Sequence, residues 1–220
     1  IAINKEYIEI QKYAFRKYKI KTVENKHTHL VPEELEQLER LSLTGKHMKL
    51  QKSLDAFLFC CYAGMRYSDF TNLSKKNIVD INQETWLIYK SVKTGTEVRL
   101  PLYLLFAGKG IVILNKYRNN LEVFFRLRDN SNINKDLIII AKLAGLSKKI
   151  SFHTARHTNA TLLIYNGVNI TTVQKLLGHK SVKTTQVYTN IMDMTIVHDL
   201  EKMKQAALGI KKKTDNSFNK

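Results

Sequence analysis

Proline and glycine are scarce in this chain, with two and nine among its 220 residues. Both disfavour helix interiors, so long helices meet little local resistance. The only cysteines, Cys60 and Cys61, are adjacent. That spacing gives neither a disulfide framework nor a metal site; after the apolar run Ala56–Phe59 they read as small core residues, suited to a reducing cytoplasm. No apolar run reaches the ~18–20 residues of a spanning helix, and no signal peptide is visible. Also missing are a carboxylate cluster able to hold a pair of Mg²⁺ ions and a glycine-rich phosphate loop.

Acidic residues are the other shortage. Asp and Glu number 19 against 36 Lys and Arg, which leaves a net charge of +17. Such an excess points to a polyanionic partner, DNA or RNA before a membrane surface. With 44% hydrophobic residues the chain can build a real core. Its length suits one ordinary domain with room for a fragment of a second.

The patterning predicts a mainly helical α+β fold with a small antiparallel sheet of two or three strands on one edge. Residues 1–20 have apolar positions at helical spacing and read as the last helix of a preceding domain. Residues 21–29 are polar and aperiodic, a linker. VPEELEQLERL opens the main domain, with Pro32 in the first turn and Glu33 and Glu34 against the helix dipole. Lys49–Ala63 is predicted as a buried helix. Between Ile78 and Leu102, β-branched and aromatic runs are split at Asn82-Gln83 and at Lys93-Thr94-Gly95-Thr96, a strand and hairpin pattern. Helices are expected over 102–128 and Leu137–Ala144, the latter closed by Gly145. Further helices are expected over His153–Tyr165, over Ile170–Leu177 between Asn169 and Gly178, and over Val182–Tyr188. A last helix is expected at 194–208 and a disordered basic tail at 211–220. The main domain is thus placed at 30–210.

Four short stretches carry residues suited to phosphate chemistry, each with an ordinary alternative. In SFHTARHTNAT, His153 and Arg156 share a helix face near an N-terminus, where a guanidinium fork, an imidazole and the dipole all favour an anion. A chance surface pair would look the same. In AGMRYSD, Arg66 follows a glycine and has Asp69 three residues on, as in any helix-end ion pair. Lys93 sits in a predicted hairpin turn, a common place for lysine. LLGHKS puts His179 past a helix end, where it could bond terminal carbonyls, and Tyr188 follows nine residues later.

Taken together and in this order, AGMRYSD, VKTG, FHTARHTNAT and LLGHKSVKTTQVYTN resemble the catalytic domain of the tyrosine recombinases, the phage-integrase family. The matching pieces run from Ala63 to Asn190, more than half of the chain. The resemblance implies a site-specific recombinase or integrase of a phage or other mobile element, acting on double-stranded DNA as a homotetramer on two duplexes, DNA-associated in the cytoplasm, with no metal or cofactor. It implies that Tyr188 attacks a phosphodiester to give a 3′-phosphotyrosine and a 5′-hydroxyl. Arg66 and Arg156 would hold the nonbridging oxygens, and His179 would bond one of them. Lys93 would protonate the leaving oxygen. His153 would help accept the tyrosine proton and contact the phosphate, and Asp69 would orient Arg66. A phenol with a pKa near ~10 needs such help to attack, and fixed cations around phosphorus stabilise the transition state more than the ground state. Ala155 and Asn159 depart from the family pattern; Asn159 replaces an aromatic or apolar residue and is expected to loosen local packing. His157 is expected to be a buried structural histidine outside the chemistry. Two alternatives share the charge or the chemistry: a catalytically silent DNA-binding module, and a type IB topoisomerase-like relaxase.

Overall fold

The computed structural model describes residues 28–188. The helices expected at 1–20 and 194–208, most of the linker, and the tail at 211–220 lie outside the described residues.

Helix α1, Pro32–Glu39, starts where the proline and acidic pair predict. Glu34 turns back to accept the Val31 N–H at 2.9 Å and meets Lys148 at 2.7 Å. After a 3₁₀ turn at Gly45–Leu50 comes α2, Gln51–Ala63, buried from Ser53 to Ala63, both cysteines included. A helix that is apolar around its circumference belongs at the centre of a domain. Polar groups on α2 have partners: Asp55 takes Lys116 at 2.9 Å and the Tyr117 hydroxyl at 2.8 Å, and Ser53 donates to Asp136 at 2.6 Å. The short α3, Tyr67–Thr71, leads to a three-stranded antiparallel sheet in the order β1 (Ile78–Ile81), β2 (Glu84–Lys90), β3 (Glu97–Pro101). Asn82 and Gln83, with φ of 53° and 67°, make the two-residue β1–β2 turn, whose left-handed backbone matches strand twist.

The single helix expected over 102–128 is instead broken. Phe106 and Ala107 are left-handed inside the 3₁₀ turn Leu105–Gly108, followed by α4 (Lys109–Lys116) and α5 (Leu121–Phe125). Leu105, Ile113, Leu114, Phe124 and Phe125 are all buried. A straight helix would spread them over roughly 200° of its circumference, at 100° per residue. Breaking the helix lets each reach the core. Helix α6, Asn130–Leu143, begins earlier than the expected Leu137. Its polar opening hides the pattern, but Asp129 caps it, accepting the Asn132 N–H at 3.0 Å, and Ile133, Leu137 and Ile140 form one buried row.

The last helices match expectation closely: α7 (Phe152–Tyr165), α8 (Ile170–Leu177, capped by Asn169 and closed by Gly178) and α9 (Lys183–Gln186). Phe70 centres an aromatic core, edge-on to Phe59, Phe124 and Phe125 at centroid distances of 5.9, 5.3 and 5.5 Å. Helix α7 packs on α2 and α8, and α8 packs on β3. The C-terminal ends of α2 and α8, the first turns of α7 and the β2–β3 hairpin therefore converge. No described helix is long and apolar enough to cross a membrane.

Candidate active site

The centre of this convergence is a buried cation. Arg156 is only 1% exposed. A guanidinium in that position costs several kcal/mol unless it is well bonded. Its Nη1 donates to the Gly64 carbonyl and its Nη2 to the Leu177 carbonyl, both at 2.7 Å. These oxygens lie at the C-terminal ends of α2 and α8, the negative poles of the two helix dipoles. The chain approaches this closely because Gly64 is left-handed, at φ 66°; a Cβ there would lie 2.6 Å from Asn159 Oδ1. Burial first, and then the charge of Arg66, lower the pKa of Arg156 to about 10, so it stays protonated at neutral pH.

Arg66 stands at the N-cap of α3, one turn of chain beyond the end of α2. Its Nη1 donates to Ser91 Oγ at 3.2 Å and lies 3.6 Å from the Asp69 carboxylate. This is not the exposed helix-end pair that the ordinary alternative assumes, since the Asp69 side chain is fully buried. Asp69 also accepts the Val92 N–H at 2.8 Å and the Ser91 hydroxyl at 3.3 Å. One carboxylate thus ties Arg66 to the root of the β2–β3 hairpin that carries Lys93.

The hairpin is fixed at its other side too. Thr94 Oγ1 donates to the Gly178 carbonyl at 3.1 Å, and a Cβ on Gly178 would lie 2.6 Å from Val98. Lys93 itself is exposed at the tip. His179 follows Gly178 and is 7% exposed. Its side chain does not bond terminal carbonyls; Nδ1 lies 2.9 Å from the hydroxyl of the buried Thr185. Burial, followed by the charges of Arg156, Arg66, His153 and Lys93, lowers the His179 pKa to about 3. Its ring is neutral at physiological pH.

Tyr188 comes just after α9 and is 3% exposed. Burial raises its pKa, and the charges of Arg156 and Arg66 oppose the rise. Its hydroxyl shares a hydrogen bond with Nδ1 of His157 at 3.1 Å. The exposed His153 packs edge-on against His157, ring centroids 4.4 Å apart.

The six candidate residues and Asp69 therefore gather in one region. His157 is buried and hydrogen-bonded as expected, and its partner is the Tyr188 hydroxyl. One expectation needs correction. Asn159 does not loosen packing: it is 2% exposed and its Nδ2 donates to the Cys61 and Tyr62 carbonyls at 2.9 and 3.0 Å. An amide fits because α2 ends there with unpaired carbonyls. Ser91, Thr94 and Thr185 also belong to the site. Small hydroxyl residues near a motif carry no sequence signal of their own; only the proximity of Ser91 and Thr94 to Lys93 hinted at a role.

With this geometry in hand, a model of the phage integrase family matches residues 28–194. The chain belongs to that family. Tyrosine recombinase XerC of Rickettsia prowazekii is 29% identical over 185 residues, 80% of this chain and 58% of that protein. The crystal structure of XerA recombinase is 25% identical with a TM-score of 0.60, over 80% of this chain and 65% of the other. A lambda integrase tetramer bound to a Holliday junction has the same fold, with 19% identity and a TM-score of 0.66 over 85% and 54% of the two chains. The chain spans little more than half the length of that XerC relative, so the family membership concerns its catalytic-type domain.

Proposed function

We propose that this chain is the catalytic part of a site-specific DNA recombinase, an integrase of a phage or other mobile element, that cleaves and rejoins DNA through a 3′-phosphotyrosine at Tyr188. One observation carries the reading: the buried Tyr188 places its hydroxyl 3.1 Å from Nδ1 of His157, the residue next to the buried Arg156 on α7, so the candidate nucleophile and the candidate phosphate-binding arginine meet at one helix. Tyr188 Oη attacks phosphorus while the P–O5′ bond breaks, and Lys93 gives its proton to the leaving 5′-oxygen. Arg66 and Arg156 stabilise charge on the nonbridging oxygens. A neutral His179 whose Nδ1 accepts from Thr185 keeps an Nε2–H to donate to one such oxygen. His153 contacts the phosphate and helps take the tyrosine proton, and Asp69 orients Arg66. The phosphotyrosine preserves the ester's free energy, so rejoining needs no nucleotide cofactor. The domain runs over 30–210, and four protomers on two duplexes carry out the exchange.

The test is a duplex nicked close to the cleavage site, from which the short 5′-hydroxyl fragment diffuses away. The chain should accumulate a denaturation-resistant DNA adduct, and Lys93→Ala should slow its formation unless the leaving oxygen is replaced by sulfur. Binding without any adduct on cognate nicked DNA would favour a silent DNA-binding module.

A further inference from the structure

We infer that His157 is the immediate base for Tyr188, a catalytic residue of the strand-transfer step rather than a structural histidine. This rests on the reading that Tyr188 is the nucleophile. The geometry is direct: His157 Nδ1 lies 3.1 Å from the Tyr188 hydroxyl, inside the 2.6–3.2 Å reach expected of a general base. With its other ring nitrogen protonated, Nδ1 presents a lone pair to the phenol. The rings sit 5.5 Å apart and inclined at 53°, so the contact runs through the heteroatoms and is not a stack.

The fold holds both partners rigidly. His157 lies one residue after Arg156 on α7, and the neighbouring Ala155, Arg156 and Thr158 are all at most 1% exposed. The Tyr188 backbone N–H is fixed to the Thr185 carbonyl at 3.1 Å, and Thr185 in turn bonds His179. The base, the arginine and the neutral histidine are thereby linked to the nucleophile through two short segments. His153 meets His157 edge to face on the solvent side. It is the group through which a proton taken by His157 can pass outward while His153 faces the phosphate.

The step balances as follows. The Tyr188 O–H bond breaks and an Nδ1–H bond forms on His157, which becomes an imidazolium. The freed oxygen lone pair forms the bond to phosphorus, and the P–O5′ electrons leave with the oxygen that Lys93 protonates. On rejoining, the 5′-hydroxyl gives its proton back to the neutral Lys93 amine as it attacks phosphorus, the P–O bond to Tyr188 breaks, and His157 returns its proton to the tyrosine oxygen. Burial disfavours a free phenolate at Tyr188, so proton removal concerted with attack is the accessible route.

The experiment measures single-turnover cleavage of the nicked duplex by the full chain, with tyrosine or 3,5-difluorotyrosine at position 188, in the parent and in His157→Gln and His157→Asn. A general base is worth roughly 10²–10⁴-fold, and its loss is best compensated by a more acidic phenol. Both variants should cleave about 100-fold more slowly with tyrosine. Fluorination should speed the variants at least tenfold more than it speeds the parent. Because that ratio is taken within each variant, partial unfolding affects both phenols alike and cancels. In the parent, the acidic limb of the pH–rate profile should belong to the imidazole and stay in place on fluorination. Equal fluorination ratios in parent and variants, or an acidic limb that moves with the phenol, overturns the assignment. Failure of the nucleophile reading itself looks different: adduct would then form with Tyr188→Phe.

Discussion

Replacing Arg156 with alanine should destabilise the domain as well as stop its chemistry, and the size of that effect follows from its bonds. The side chain is 1% exposed and makes two charge-assisted hydrogen bonds of 2.7 Å to carbonyls that close α2 and α8. Each such bond is worth about 1.5–3 kcal/mol, and alanine leaves both oxygens buried without a donor. Relief of the repulsion from Arg66 and of the guanidinium's own desolvation returns about 1–2 kcal/mol. The net cost is about 4 kcal/mol, which in a domain of this size lowers Tm by ~8–16 °C. The assay is thermal unfolding by far-UV circular dichroism, beside non-specific DNA binding at fixed salt and a temperature well below both midpoints. Binding should change less than tenfold, because Arg156 is one of 36 Lys and Arg residues able to neutralise phosphates. Arg156→Lys should recover part of the stability, since one ammonium can reach only some of the paired oxygens. If Arg156→Ala melts within about 3 °C of the parent, the carbonyl clamp contributes little and the structural half of this argument is wrong.

Three further outcomes follow from the same site. Asn159→Leu restores an apolar residue but strands the Cys61 and Tyr62 carbonyls, and should cost about 2–3 kcal/mol in urea unfolding; a gain in stability would show that packing outweighs the cap. Gly178→Ala puts a Cβ 2.6 Å from Val98 at φ 63°, so it should destabilise by about 2–4 kcal/mol and, by loosening the Thr94 contact that holds the Lys93 hairpin, slow cleavage more than binding. His179 is neutral in the fold and charged in the unfolded chain below pH ~6.5, so the unfolded state takes up protons first. The stability it contributes is present above pH ~6.5 and is lost as pH falls toward about 3. Between pH 6.5 and 5 the loss should be about 1–2 kcal/mol, from roughly 1.4 kcal/mol per pH unit for the one extra proton the unfolded chain takes up. The slope should flatten in His179→Gln, measured as Tm against pH.

The sequence made the end of the domain most legible. Asn169, Gly178 and the apolar face between them mark α8 because caps and period act within a few residues. The breaks in the stretch from 102 to 128 are not legible for the opposite reason: Phe106 and Ala107 take left-handed conformations that their residue types disfavour and that no local turn residue announces. The catalytic candidates were legible as a composite, since order and spacing survive where each box alone is ambiguous. What escaped was partnership across the fold. His157 and Tyr188 are 31 positions apart and meet only because α9 brings the chain back to α7. Asn159 looked like a packing defect because the carbonyls it serves lie 97 and 98 positions away.

The most direct measurement of the central claim is the identity of the residue joined to DNA. Adduct trapped on the nicked duplex should, after proteolysis and mass spectrometry, carry its DNA on Tyr188 through a 3′-phosphate, and Tyr188→Phe should give none while still binding the duplex. A DNA link at another residue, at a 5′-phosphate, or in equal yield from Tyr188→Phe would contradict it.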